Sequence, residues 1–244
     1  MKTKFKDPEK QRLLESPILV TGCARSGTSL IAGTLHFCGA WVGHVTGKTR
    51  HNQKGQFENN FIRDKIVKRY LTSIGADPLG QNPLPKIDNL PIDMYMGKKV
   101  REAMLEQGYD GQQQWLYKGA KMCLIWPVWS VAFQKAQWVI VRRKDEEIVR
   151  SCLRTAFMRK YKDAAGWHRW VDFHLARFEE MKQQSDNVME VWPEKMFKGD
   201  FSEIKKVVAN LGLDWNRETV HDFLDFRLWN KGKQYKEAFP WRQE

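Results

Sequence analysis

Apolar residues recur along this chain at two spacings. Short, nearly continuous runs stand at PILVTG (17–22), QWLYKG (114–119), QWVIVRR (137–143) and VMEVW (188–192), and their length and β-rich composition predict buried strands. Between them the spacing changes to three and four: Leu30, Ile31, Thr34, Leu35 and Cys38; Ile62, Ile66, Val67, Tyr70, Leu71 and Ile74; Ile148, Val149, Cys152 and Leu153; then Trp167, Trp170, Val171, His174, Phe178 and Met181. Each set marks one face of a helix. Asp200 with Glu203 is expected to cap a further helix, which carries Ile204, Val207, Val208 and Leu211 and stops before Gly212. Strands alternating with helices predict an α/β fold, a three-layer sandwich with a central parallel sheet flanked by helices, and ligands bound beyond the strands' carboxyl ends. No internal repeat, Pro-rich linker or low-complexity tract divides the sequence, so residues 1–244 read as a single domain. Segment 76–93, with Pro78, Pro83, Pro85 and Pro91, reads as a long irregular loop of the kind that forms lids or substrate walls.

Charge narrows the choice of partner. Lys and Arg number 41 against 29 Asp and Glu, a net +12, which predicts an anionic ligand. A hydrophobic content of 42% with 12% aromatics argues against a disordered basic tail. The apolar stretch CLIWPVWSVAF (123–133) falls short of the roughly 18–20 residues needed to cross a bilayer. The charged start MKTKFKDPEKQRLLES lacks the apolar core of about 7–15 residues found in secretory signals. Cys23, Cys38, Cys123 and Cys152 are scattered, with no paired spacing. Reduced thiols in a cytoplasmic protein, with no structural zinc and no membrane attachment, are therefore expected.

The first strand leads into the most informative stretch, PILVTGCARSGTSLIAGTLHFCG: a strand, a turn bounded by Gly22 and Gly27, and a helix opening at Thr28 and Ser29. Backbone N–H groups in such a turn converge on an anion, aided by the helix N-terminus. A nucleotide-hydrolysing phosphate loop reads G-x-x-x-x-G-K-[ST]. Here Thr28 takes the Lys position, the cation is Arg25 inside the turn, and VIVRR ends on arginines where an Asp would hold magnesium.

GCARSGTSL resembles the 5′-phosphosulfate-binding loop of sulfotransferases that use 3′-phosphoadenosine 5′-phosphosulfate (PAPS), in the branch that carries Arg where the animal cytosolic enzymes have Lys. WVIVRRKDEEIVRSCLRT resembles the family's 3′-phosphate-binding strand, loop and helix, in which an Arg at the strand end and a Ser eight residues later grip the 3′-phosphate; Arg143 and Ser151 keep that spacing, while Lys144-Asp145 replaces the familiar Asn-Pro. An Arg fork at a strand end suits a phosphate on chemical grounds alone. NQKGQFEN (52–59) resembles an N-P-x-G-x-x-E segment with Gln53 for Pro, and YKGAKMCLIWPVW (117–129) a K-D-P-R block that keeps Lys118 and Lys121. VMEVWPEKMF and SEIKKVVANLGL look like the strand and helix that close such domains, and Lys231-Gly232 is similar to a basic turn near the 3′-phosphate.

The resemblance implies a phosphate-loop sulfotransferase fold, PAPS as co-substrate, no metal, and in-line transfer of a sulfuryl group to a hydroxyl or amine. It implies a donor site of Arg25, Ser26, Gly27, Thr28, Ser29, Arg143 and Ser151. Such transfer rests on positioning and electrostatics, with Arg25 over the leaving 5′-phosphate. Glu58, expected to open a helix and to serve if burial raises its pKa, is the first choice of base; His51 and His44 follow. His174 falls on an apolar stripe and reads as a core residue. Of the 11 tryptophans, Trp126, Trp129, Trp167 and Trp170 read as packing, and Trp41 as a substrate contact. Two other readings stand beside this one: an atypical phosphate-loop kinase or nucleotidase, which lacks its Lys and Asp, and a non-enzymatic polyanion binder, which lacks a nucleic-acid-binding module. The acceptor, a small molecule or carbohydrate rather than nucleic acid, is open among carbohydrate hydroxyls, phenols, small alcohols and peptide tyrosines. Loops 40–57 and 76–93 are where its choice is expected to be set.

Overall fold

The structure, a computed structural model, describes residues 5–49 and 53–229. Helix α1 (Pro8–Glu15) starts where Asp7 accepts hydrogen bonds from the Glu9 and Lys10 amides, with Pro8 in the first turn. Strand β1 (Ile18–Gly22) is buried throughout and feeds α2 (Thr28–Phe37). A π-helical turn (Ile62–Val67) runs into α3 (Lys68–Ser73), and α4 (Met96–Glu106) precedes β2 (Leu116–Lys118). Next come α5 (Trp126–Ala132), β3 (Gln137–Val141), α6 (Asp145–Leu153), the long α7 (Ala164–Gln184) and β4 (Val188–Val191). Four short helices follow: α8 (Pro193–Met196), α9 (Ser202–Asn210), α10 (Arg217–Phe223) and α11 (Phe226–Trp229).

All four strands are parallel, in the order β2-β1-β3-β4. Strand alternation sends Leu19, Tyr117, Trp138 and Ile140 to one face, where they pack with α3, α4, α5 and α7. Ile18, Val20, Leu116, Val139 and Val141 face α2, α9 and α10 on the other. Two cores thus sandwich one sheet, which is the predicted three-layer arrangement. Burying both faces of β1, β2 and β3 explains why they read as continuous apolar runs, while the edge strand β4 is only partly buried. Trp129, Trp167 and Trp170 are core residues as expected, while Trp126 is only partly buried and donates its Nε1 hydrogen to Glu180. No helix among the described residues is long and apolar enough to cross a membrane.

One capping expectation is corrected. Asp200 accepts from the Ser202 amide, but Glu203 turns away from the helix start to take the Trp192 amide and the Lys195 ammonium. A strand end and a neighbouring cation offered that carboxylate stronger partners than its own helix. Segment 76–93 is irregular, with only a short helical turn at Ile87–Asn89, yet it is docked. Asp77 accepts from the Leu79, Gln81 and Asn82 amides, and Trp170 Nε1 donates to the Gly80 carbonyl at 2.8 Å. Buried Gln81 ties the segment to the chain after α6, donating to the Phe157 carbonyl and accepting from the Arg159 and Lys160 amides.

Candidate active site

The carboxyl ends of β2, β1 and β3 lie side by side, and each delivers part of the site. At the end of β1 the chain turns through residues 23–27 into α2. Gly22 is required here: a Cβ would stand 2.6 Å from the Val141 carbonyl oxygen. Gly27 heads α2 with φ 102°, and Arg25 holds φ 75°, a conformation that costs a non-glycine residue about 1–2 kcal/mol. Thr28 is buried, Ser26 is fully buried with no hydrogen-bond partner for its Oγ, and the α2 N-terminus directs Thr28 and Ser29 amides out of the helix.

Arg25 is the centre of the arrangement. Its Nε donates to Ser151 Oγ at 3.1 Å, and its carbonyl accepts from Arg143 Nη1 at 2.9 Å. The loop after β1 and the helix after β3 therefore bring Arg25, Arg143 and Ser151 together, across 118 and 126 positions of sequence. Burial and the neighbouring Arg143 guanidinium both lower the Arg25 pKa, and among the described residues no carboxylate pairs with it. Arg143 is anchored from the other side: Glu147, one helical turn on, accepts from its Nε and Nη2 at 3.1 and 3.0 Å. Neighbouring Arg142 faces elsewhere, bonded to Glu190 and lying over the Phe178 and Trp192 rings. Alternation along β3 separates the two arginines, and the Glu at the fourth position after Arg143 is the sequence signal for which one is held.

Glu58 lies at the end of β2. Its Oε2 accepts from Lys118 Nζ at 3.2 Å, its Oε1 lies 3.9 Å from Lys121 Nζ, and the residue is 8% exposed. It does not open the helix; Asn59 does, accepting from the Ile62 amide. Burial pushes the Glu58 pKa up, but Lys118, Lys121 and Arg63 outweigh it and hold the carboxyl below its ordinary range. The expectation of a raised pKa is thus reversed by two cations that the sequence places at the end of a strand and one turn beyond. Burial lowers the Lys121 pKa, with Lys118 adding to it and Glu58 opposing. Glu58 Oε1 and the buried Tyr117 hydroxyl have no hydrogen-bond partner.

The other sequence candidates separate from this centre. His51 lies outside the described residues, as do Lys231 and Gly232. His44 is exposed, its amide bonded to Gln107. Trp41 extends the sheet beside Trp115 and packs its ring on Tyr109 at 5.1 Å, a structural position. His174 is buried, with Nδ1 2.7 Å from the Trp170 carbonyl, and burial lowers its pKa to about 4. Sequence reasoning matched Lys118 and Lys121 to the cations of a K-D-P-R block without giving them a role, and it missed Glu147 and Trp229, whose ring lies 4.2 Å from the Arg143 guanidinium.

Comparison with known proteins places the fold. No protein-family model matches the sequence, and neither does any curated protein. Among solved structures the chain is similar to the sulfotransferase domain from the Synechococcus PCC 7002 olefin synthase, at 14% identity over 93% of this chain and 91% of that one, with a TM-score of 0.51. It is also matched to sulfotransferase STF1 from Mycobacterium tuberculosis H37Rv, at 14% identity over 88% of this chain and 72% of that one, with a TM-score of 0.47. The likeness to the first is one of fold: the chain has the α/β architecture, a parallel sheet between helices, of a sulfotransferase domain.

Proposed function

We propose that this chain is a sulfotransferase that moves a sulfuryl group from PAPS to a hydroxyl or amine. The observation that carries the reading is Arg25, a half-buried guanidinium set in a glycine-bounded turn beside a second guanidinium, with no carboxylate partner among the described residues. Two like charges held this close favour an anion between or before them. A donor with phosphates at its 5′ and 3′ positions supplies one for each half of the cluster. The buried, unpartnered Ser26 hydroxyl and the outward α2 amides fit the same anion.

In this reading Arg25, the loop amides and Thr28 stabilise the charge that grows on the leaving 5′-phosphate, while Arg143 and Ser151 hold the 3′-phosphate. The sulfur–oxygen bond to the 5′-phosphate breaks as the bond to the acceptor forms, and the acceptor's proton passes to Glu58. A carboxylate kept ionised by two lysines is always ready to accept a hydrogen bond but is a weak base, so proton transfer comes late, when the acceptor oxygen has become acidic. The acceptor is a small molecule or carbohydrate. The four cysteines are free and buried, in keeping with a reducing compartment such as the cytoplasm.

Calorimetric titration with 3′-phosphoadenosine 5′-phosphate (PAP), ADP and ATP tests the donor site. PAP binds best in this reading, and Arg143→Ala weakens it by about 10- to 100-fold, the worth of a charge-assisted fork, with little effect on ADP. Equal or tighter binding of ATP would return the kinase reading.

A further inference from the structure

The indole of Trp229 lies on both elements to which the donor reading assigns phosphates. A Cβ built on Gly27 would stand 2.5 Å from the Trp229 ring, so the ring is packed directly on the last glycine of the loop. The Arg143 guanidinium carbon is 4.2 Å from the ring centroid, and Arg143 Nη2 donates to the Trp229 carbonyl at 3.4 Å. Phe197, with ring centroids 5.1 Å apart, supports the indole.

A guanidinium carries five N–H donors. In Arg143 the Nε and one Nη2 hydrogen go to Glu147, one Nη1 hydrogen to the Arg25 carbonyl, and the second Nη2 hydrogen to Trp229. Among the described residues one Nη1 hydrogen is left, and one face is covered by the indole. A phosphate that grips Arg143 through two parallel hydrogen bonds must take a donor that Trp229 or the loop now holds. Of these, Trp229 stands on a four-residue helix, whereas Glu147 and the loop belong to α6 and the β1–α2 connection.

We infer that Trp229, packed on Gly27 and Arg143, closes the donor site, and that a 3′-phosphorylated nucleotide binds by displacing it. The inference rests on the donor reading above. Its signature is an apparent affinity reduced by the fraction of molecules in which the indole is withdrawn. The indole's contacts with Gly27, Arg143 and Phe197 hold the Trp229 carbonyl against Arg143, so removing the indole frees that donor and uncovers the guanidinium face, and binding tightens, the opposite of what loss of a ligand contact does.

PAP is titrated into the full chain as wild type, Trp229→Ala and Trp229→Phe, with association rates from stopped flow and melting curves as a check of folding. Trp229→Ala is expected to bind PAP about three- to tenfold more tightly and to associate faster, with Trp229→Phe between it and the wild type. Weaker or equal binding by a folded Trp229→Ala chain overturns the inference while leaving the donor reading intact, since the indole would then be part of the bound site or irrelevant to it. If Trp229→Ala does not fold, Trp229→Phe decides by the same sign. PAP binding by the alanine variant alone supports closure in its extreme form, whereas no binding by any of the three overturns the donor reading and the inference together.

Discussion

Replacing Glu58 with Gln keeps the side chain's shape and removes its charge, leaving Lys118 and Lys121 to face one another in a buried site. At the 3.2 and 3.9 Å separations, with an effective dielectric of about 20, the two attractions are worth about 5 and about 4 kcal/mol before desolvation is subtracted. Breaking a buried pair from one side typically costs about 3–5 kcal/mol. Because Gln preserves volume and a carbonyl acceptor, the lower end, about 3 kcal/mol, is expected at pH 7, a fall in melting temperature of about 6–12 °C for a chain this size. The pH dependence has a definite sign. A carboxyl whose folded pKa is depressed adds stability above its unfolded pKa, ordinarily 4.5, and loses it as pH falls through the folded value. The gap between wild type and Glu58→Gln should therefore be full at neutral pH and shrink below about pH 4.5. Urea unfolding of the wild type, Glu58→Gln, Lys118→Met and the double variant measures it, with a coupling of at least about 1 kcal/mol expected between the two positions. A Glu58→Gln chain as stable as wild type at pH 7, a gap that ignores pH, or zero coupling would refute the argument that this carboxylate is the counter-charge of the two lysines.

Gly22→Ala places a methyl 2.6 Å from the Val141 carbonyl oxygen and 2.8 Å from Ser26 Oγ. The strand end or the loop must shift, so a loss of more than about 2 kcal/mol in urea unfolding and of PAP binding in calorimetry is expected. His174 is held neutral, its pKa lowered by burial to about 4 from 6.5, so the unfolded chain takes up the proton first. Stability should fall as pH drops from about 6.5 toward about 4, and thermal melts of His174→Leu should lack that part of the decline.

Strands β1 and β3 were legible because burial on both faces leaves each as an unbroken apolar run between glycines and polar turns. The long helix α7 was legible from its tryptophan stripe. Helices α1 and α4 were not: the buried stripe of α4, Met96, Gly97, Val100, Ala103 and Met104, is built partly of small residues and interrupted by Lys98, Lys99, Arg101 and Glu102. The π-helical turn at Ile62–Val67 reads as ordinary helix, because a five-residue hydrogen-bond step leaves the same apolar positions inward. In the site, Arg25, Arg143 and Ser151 could be chosen from strand-end position and spacing, which is geometry that short segments carry. The Glu58 environment could not, since Lys118 is 60 positions away and the sign of a pKa shift depends on whether burial or the lysines dominate. Trp229 was missed for the same reason: only the fold brings the last described residue of the chain onto its first glycine loop.

The two halves of the site differ in how they treat charge, and that difference orders the proposed reaction. On the β1–β3 side, Arg25 has no carboxylate of its own among the described residues, so the positive charge there is available to an anion, in the proposed reaction that of the donor. On the β2 side the cations are already committed: Lys118 and Lys121 surround Glu58, and the carboxylate is the minority charge. Once Glu58 has taken a proton from the acceptor, the two lysines face a neutral group in a buried site, which is the less stable arrangement. The same forces that make Glu58 a weak base therefore drive it to release that proton, restoring the carboxylate for the next acceptor. In the proposed reaction such a site favours a resting carboxylate over a rapid base, and the acceleration falls to the cations set where the leaving phosphate would gain its charge.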